Sequence, residues 1–213
     1  MSFHKLYEIV TPYIVRIETQ EGYGTGFLFG YNGTKEMAAI ATAAHVVDRA
    51  HEWKQPIRIK HYSTGGECFL PAEKRAILID KEKDSASILI ASNKLDLPEE
   101  TLPLMDREKY RKIGTDLGWV GFPSVASNEL CFFKGCVSAF ALESDTYLID
   151  GVAINGVSGG PVFGDKGDET PQIIGTVSAY SPNLINGKTL PGLLRAQDIT
   201  PFHETNGAPP PRP

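Results

Sequence analysis

The sequence predicts an all-β protein made of two packed, six-stranded antiparallel β-barrels. Three observations carry that reading. About six short runs rich in β-branched and aromatic residues recur in each half. Turn residues separate these runs and little helical periodicity intervenes, which is not the alternating pattern of βαβ units. Between the halves, from Asn93 to Lys112, the pattern weakens under Pro98, Pro103 and many charges, as a connection would. At 213 residues the chain is long enough to bury a real core. The expected layout is one unit over residues 1–205: a first barrel at about 10–95, a connection at about 93–115 and a second barrel at about 116–205. A Pro-rich tail follows at 206–213.

In the first half, Phe3 to Val10 reads as a short helical turn ending before Pro12. Tyr13 to Thr19 reads as a strand, partly alternating and β-branched. Gly22 to Phe29 reads as a second strand, whose glycines indicate a bulge or close backbone approach. Tyr31-Asn32-Gly33 is a turn signal. Ala38 to Thr42 gives a third strand and Ala43 to Asp48 one helical turn. Ile57 to Tyr62, Arg75 to Ile79 and Ser87 to Ala91 supply three more strands.

The second half opens with Leu117 to Gly121 and continues with Leu130 to Ala141, read as a hairpin pair. Thr146 to Asp150, Val162-Phe163, Ile173 to Ala179 and Leu193 to Ala196 follow, then a last helical turn from Asp198 to His203. Gly207-Ala208-Pro209-Pro210-Pro211 cannot join a sheet and reads as a polyproline-like tail.

Composition is that of an ordinary globular protein, 41% hydrophobic and 22% charged. The net charge of −5 argues against a nucleic-acid partner, which usually leaves a basic footprint. The densest basic run, Arg58-Ile59-Lys60-His61, alternates with apolar residues as a strand with one solvated face would. No apolar run approaches the roughly 18 residues of a membrane helix, and the N-terminus shows no signal core. The three cysteines, Cys68, Cys131 and Cys136, have no metal-type spacing and fit free thiols. The expectation is a cytoplasmic protein without a membrane partner, metal or cofactor.

One stretch carries chemistry: Gly156-Val157-Ser158-Gly159-Gly160-Pro161. A serine hydroxyl attacks a carbonyl only when a base takes its proton and donors await the oxyanion. Flanking glycines let backbone N–H groups turn inward. Taken alone, the stretch is equally an ordinary β-turn. A base is on offer in His45, within Thr42-Ala43-Ala44-His45-Val46-Val47, although a histidine without context is more often structural or exposed. Asp84, beside the apolar run Ile88-Leu89-Ile90, could accept from the imidazole N–H and fix its tautomer. Asp80 and Asp48 are rivals for that role, and Asp84 is equally readable as a solvated turn residue.

These residues together resemble the trypsin/chymotrypsin-fold serine proteases, nearest in texture to the HtrA-type branch. The order His45, Asp84, Ser158 is that family's order. Thr42-Ala43-Ala44-His45, Asp84-Ser85-Ala86 and Gly156-Val157-Ser158-Gly159-Gly160-Pro161 match its three motifs. Supporting matches are Gly24-Thr25-Gly26-Phe27, Gly121-Phe122-Pro123 and Gly135-Cys136-Val137-Ser138. The likeness covers about residues 10–200 and implies a chymotrypsin-like fold with the active site between the barrels. It further implies a serine endopeptidase acting on a polypeptide substrate. Ser158 would be the nucleophile, His45 the base and Asp84 the orienting acid, with the N–H groups of Gly156 and Ser158 as oxyanion hole. Ser178-Ala179-Tyr180 would pair with substrate.

There are departures. Val157 stands where HtrA-type proteases carry asparagine and secreted trypsins aspartate. Nothing after residue 205 has the length of a PDZ domain. Six residues before Ser158, at the place of the specificity-pocket base, stands Val152, followed by Ala153. With Tyr180 at the mouth, this implies cleavage after small or medium apolar residues. Val157 cannot pair with an inserted N-terminal ammonium. Activity is therefore expected without N-terminal clipping, with Asn155 to Ser158 ordered constitutively or by substrate, self-assembly or a regulatory protein partner. The alternative function is a catalytically inactive protease-fold module that binds peptides or partners. A metal-dependent hydrolase finds no ligand spacing here.

Overall fold

The structure, a computed structural model, describes residues 2–107, 109–167, 170–185 and 188–206; for 182–185, 188–191 and 204–206 it describes the backbone alone. The expected Pro-rich tail lies outside the described residues from 207 onward.

Two antiparallel sheets make up the fold. The first contains β1 (Ile14–Thr19), β2 (Gly22–Tyr31), β3 (Met37–Ala43), β4 (Ile57–His61), β5 (Glu67–Leu70), β6 (Ala76–Asp80) and β7 (Ser85–Ala91), in the order β5-β4-β1-β2-β3-β7-β6. The second contains β8 (Asp116–Gly121), β9 (Cys131–Ala141), β10 (Thr146–Asp150), β11 (Pro161–Asp165), β12 (Pro171–Ile185) and β13 (Lys188–Asp198). These six close into a barrel, β10-β13-β12-β11-β8-β9. Helices α1 (Phe3–Val10), α2 (Ala44–Glu52) and α3 (Thr200–Asn206) complete the fold. Together they form a chymotrypsin-like fold with one closed barrel and one curled half-barrel.

The first sheet departs from the expected closed six-stranded barrel. It has a seventh strand, β5, and stays open between β5 and β6. β5 is only four residues long and is followed by Pro71, which has no N–H to donate to a ladder. Arg75 bridges the gap instead, donating to the carbonyls of Leu70 (2.6 Å), Gln55 (2.6 Å) and Ala50 (3.1 Å).

The expected hairpin at Leu130 to Ala141 is one continuous strand, β9, paired with β8 on one side and β10 on the other. Gly135 sits mid-strand because β10 crosses close by: a Cβ there would lie 2.1 Å from the Asp150 carbonyl oxygen. The final hairpin is longer than expected. β12 and β13 run on past Pro182 and Pro191, with register shifts between Val177 and Ala179 and between Ser181 and Asn183. Proline is tolerated at such irregularities. α2 also outruns its predicted single turn, because Val47 and Ala50 continue a buried face that begins at Ala44.

The halves meet along β2. Phe27, Leu28 and Phe29 are all buried. Leu28 joins the core of the first sheet with Val15, Ile17, Ile40 and Val47. Phe27 and Phe29 join the barrel's core with Trp119, Val120 and Phe163. That double burial explains an apolar run in place of strict alternation. α1 lays Leu6 and Val10, four residues apart on one face, into the barrel's core. α3 returns the chain to the first sheet, where Phe202 packs 5.1 Å from Phe29 and 6.4 Å from Phe27, ring to ring.

Phe202 thus closes the seam from the C-terminal side. Phe202→Ala leaves a cavity between the halves and is expected to cost about 3–5 kcal/mol of unfolding free energy. Chemical denaturation followed by tryptophan fluorescence checks this value, and Phe202→Leu should recover most of the loss.

Candidate active site

The site begins with the N-terminus of α2. Its flanking residue, Ala43, has no side chain that can cap, so the first amides need another acceptor. Asp84 supplies it from across the sheet. Its carbonyl accepts from Ala44 N–H (3.0 Å) and its Oδ1 from His45 N–H (3.1 Å). The carboxylate also favours the positive end of the helix. Asp84 holds a left-handed backbone, φ 44°, a conformation that short polar Asp tolerates better than most side chains.

The same carboxylate holds the imidazole. His45 Nδ1 lies 2.9 Å from Asp84 Oδ2 and 3.0 Å from Oδ1. Ser178 Oγ donates to Asp84 Oδ2 at 2.5 Å. The Asp84 bond raises the His45 pKa above its ordinary value, against the opposing effect of burial. For Asp84, burial alone would push the carboxyl up. The hydrogen bonds from His45 and Ser178 outweigh it and hold the group below the usual carboxylate range. Neither rival acid reaches the ring: Asp80 Oδ1 accepts from Lys83 N–H and Asp48 Oδ1 from Arg49 N–H.

Ser158 comes from the barrel, on the turn that precedes β11. Gly159 must be glycine there, with φ 83° and with the Thr25 carbonyl and Thr42 hydroxyl each 2.2 Å from where a Cβ would sit. Its N–H donates to Val177 O at 2.7 Å, and Val157 N–H to Ile154 O at 3.1 Å. The amides of Gly156 and Ser158 find no acceptor among the described residues. Val157 itself is fully buried in the barrel's core.

Thr25 fastens this turn to the first sheet. Its N–H donates to Ser158 O (2.8 Å) and its Oγ1 to Gly156 O (2.8 Å), while Oγ1 accepts from Phe122 N–H (3.1 Å). Thr42 Oγ1 donates to Thr25 O at 2.7 Å. Sequence reasoning treated Thr25 only as part of a supporting motif. The signal was there: a hydroxyl between two glycines in an otherwise apolar strand.

His45, Asn155 and Ser158 form the ridge between two hollows. One is walled by Glu21, Tyr23, Arg49 and Gly156. The other is lined by Ala153, Ile154, Val177, Ser178, Ala179 and Tyr180. His45 and Ser158 share both hollows, although no hydrogen bond joins the serine hydroxyl to the imidazole among the described residues. Val152, expected at the base of the specificity pocket, is 55% exposed and does not line this hollow, whereas its neighbours Ala153 and Ile154 do. The Tyr180 hydroxyl accepts a hydrogen bond from Gly192 N–H on the adjacent strand.

Among the described residues, no three His, Cys, Asp or Glu side chains converge as metal ligands, and no helix is long and apolar enough to cross a membrane. The cysteines are unpaired, Cys68 buried and Cys131 and Cys136 half-buried.

Known structures share this shape. The chain superposes on the crystal structure of Deg5 with a TM-score of 0.70 and 20% identity, over 95% of this chain and 90% of that one. The serine endoprotease from Yersinia pestis gives 0.69 and 17%, over 96% and 65% respectively. The inactive form of the Rv3671c protease of M. tuberculosis gives 0.66 and 18%, over 95% and 93%. At such identities the likeness speaks for the fold. No curated protein matches the chain in sequence. The family profile of the trypsin-like peptidase domain, however, matches residues 24–169. With two thirds of its length so matched, the chain belongs to the trypsin-like peptidase family.

Proposed function

We propose that the chain is a serine endopeptidase working through Ser158, His45 and Asp84. One observation carries the reading. An imidazole anchored at Nδ1 by a half-buried carboxylate shares its cleft with a serine whose turn leaves two amides unpaired among the described residues. Family membership supports a protease function in general.

Ser158 Oγ attacks the scissile carbonyl carbon as its proton passes to His45 Nε2. The negative oxygen that forms is received by the N–H groups of Gly156 and Ser158, each worth about 3 kcal/mol to the transition state. Collapse expels the amine, which takes the proton from His45, and leaves an acyl-enzyme ester. Water then attacks that ester, giving its proton to His45, and Ser158 Oγ leaves with the proton returned. Asp84 keeps Nδ1 protonated and stabilises the imidazolium in both halves of the cycle. Val157 is buried in the barrel's core and offers no carboxylate to an inserted ammonium, which supports the reading that activity needs no N-terminal clipping.

Protein shown intact by mass spectrometry should take up a serine-directed fluorophosphonate and hydrolyse peptides. Ser158→Ala and His45→Ala should each lower kcat on the order of a hundred-thousandfold to a millionfold. Asp84→Asn should lower it about ten-thousandfold. Full activity in Asp84→Asn, or an intact wild type inert to the reagent, overturns the assignment; the second result is what a peptide-binding module would give.

The base must be neutral to act, so kcat/KM should rise with pH. The raised His45 pKa places the midpoint of that rise above the ordinary imidazole value of about 6.5. In Asp84→Asn the stabilising carboxylate is gone, and the midpoint of the residual activity should move to lower pH.

The hollow beside Ser158 offers Ala153, Ile154, Val177 and Ala179 and no carboxylate. Burying a substrate cation there is costly. Peptide-library profiling should therefore find cleavage after small or medium apolar residues, and a dominant Arg or Lys preference would refute this pocket assignment.

A further inference from the structure

We propose that Arg16 and Tyr23 are positioning residues that brace the turn 154–158 from the side of the first sheet. The inference rests on the serine-peptidase reading and specifies what holds its oxyanion donors in place. Gly156 provides one of those donors, and its Cα faces the Tyr23 ring: a Cβ built there would lie 2.6 Å from Tyr23 Cε2 and 2.2 Å from Phe122 O. The position of that ring therefore limits where the Gly156 peptide can move.

Tyr23 is in turn held by Arg16. The guanidinium carbon sits 3.9 Å above the Tyr23 ring centroid and 6.0 Å from that of Phe122. Its Nη1 donates to the carbonyl of Ser127, and its Nε lies 3.2 Å from Glu18 Oε1. The side chain is 17% exposed, low for an arginine that makes one carboxylate contact. β1 and β2 place the pieces on one face: Glu18 pairs with Tyr23 and Arg16 with Thr25.

Ser127 belongs to the loop that begins at Phe122, and that loop grips the other side of the turn. Ser124 N–H donates to Asn155 O at 2.7 Å, and Tyr62 packs on Phe122 at 5.9 Å. Arg16 thus links both supports, the ring beside Gly156 and the loop that holds Asn155. A planar, delocalised cation suits the task, because it stacks on rings with its faces while donating at its edge. A lysine ammonium cannot do both. Val157 anchors the turn in the barrel on one side, and Arg16 with Tyr23 anchors it to the first sheet on the other.

The test compares wild type with Arg16→Lys, Tyr23→Phe and Tyr23→Leu in steady-state peptide hydrolysis, thermal melting and inhibition by a peptidyl trifluoromethyl ketone. Arg16→Lys and Tyr23→Leu should lower kcat about tenfold or more, since misplacing an oxyanion donor approaches the cost of losing it. KM should stay within about twofold, and the ketone should weaken in step with kcat/KM. Tyr23→Phe keeps the ring and should retain clearly more kcat than Tyr23→Leu. Peptide affinity measured in the Ser158→Ala background should not change with Arg16→Lys. An active wild type whose Arg16→Lys and Tyr23→Leu variants keep kcat, or lose only KM or melting temperature, overturns the brace alone. A wild type inert to fluorophosphonate overturns the peptidase reading and the brace with it.

Discussion

One carboxylate does two jobs that would otherwise need separate residues. Asp84 closes the open N-terminus of α2 and holds the imidazole that the helix carries. Because both tasks fall to one group, the carboxylate cannot turn away from the ring without also giving up the His45 N–H at the start of the helix. A cap contributes about 1 kcal/mol, and a charge-assisted hydrogen bond about twice an ordinary one. The Ser178 hydroxyl, from the barrel, shares the carboxylate. Lys83 beside it pairs with Asp145 of the β9–β10 turn at 2.5 Å. The turn that carries Asp84 is therefore registered against the second half as well as the first.

The serine side is organised by a different economy, with backbone amides and carbonyls in place of charge. Thr25 uses its N–H, its carbonyl and its hydroxyl in four hydrogen bonds that join β2 to the serine turn, to Phe122 and to Thr42. Such a fully used buried threonine is rigid by construction, since any movement leaves a polar atom unpaired in an apolar surround. The two halves of the site thus answer to different conditions. Asp84 and His45 respond to pH, while the serine turn responds to packing.

Much of this was legible in the sequence. The three motifs carry the residues of the proposed triad, because the chemistry sets their residue types while the fold sets their order along the chain. Strands such as β3 and β7 announce themselves through continuous apolar runs. The rest was hidden where local pattern and tertiary demand diverge. β5 is four residues long, too short for its alternation of buried Cys68 and Leu70 with exposed Glu67 and Phe69 to stand out. The run Leu130 to Ala141 reads as a hairpin, whereas it is one strand whose Gly135 serves a close strand crossing. Val152 was placed by counting back from Ser158, and counting cannot foresee which of several neighbouring residues a loop turns outward. The Arg16 stack joins residues far apart in sequence, and no spacing rule connects them.

The unequal closure of the two sheets has a consequence for how the site is assembled. His45 and Asp84 ride on the open, arginine-bridged sheet, and Ser158 rides on the closed barrel. On the proposed mechanism they are two reagents on separate carriers, in terms of effective concentration, and the seam between the carriers sets how often they meet in reacting geometry. A displacement of about 1 Å between such groups can cost on the order of a hundredfold in rate. The residues that close the seam, Thr25 from one side and Phe202 from the other, thereby set a local molarity as well as a shape.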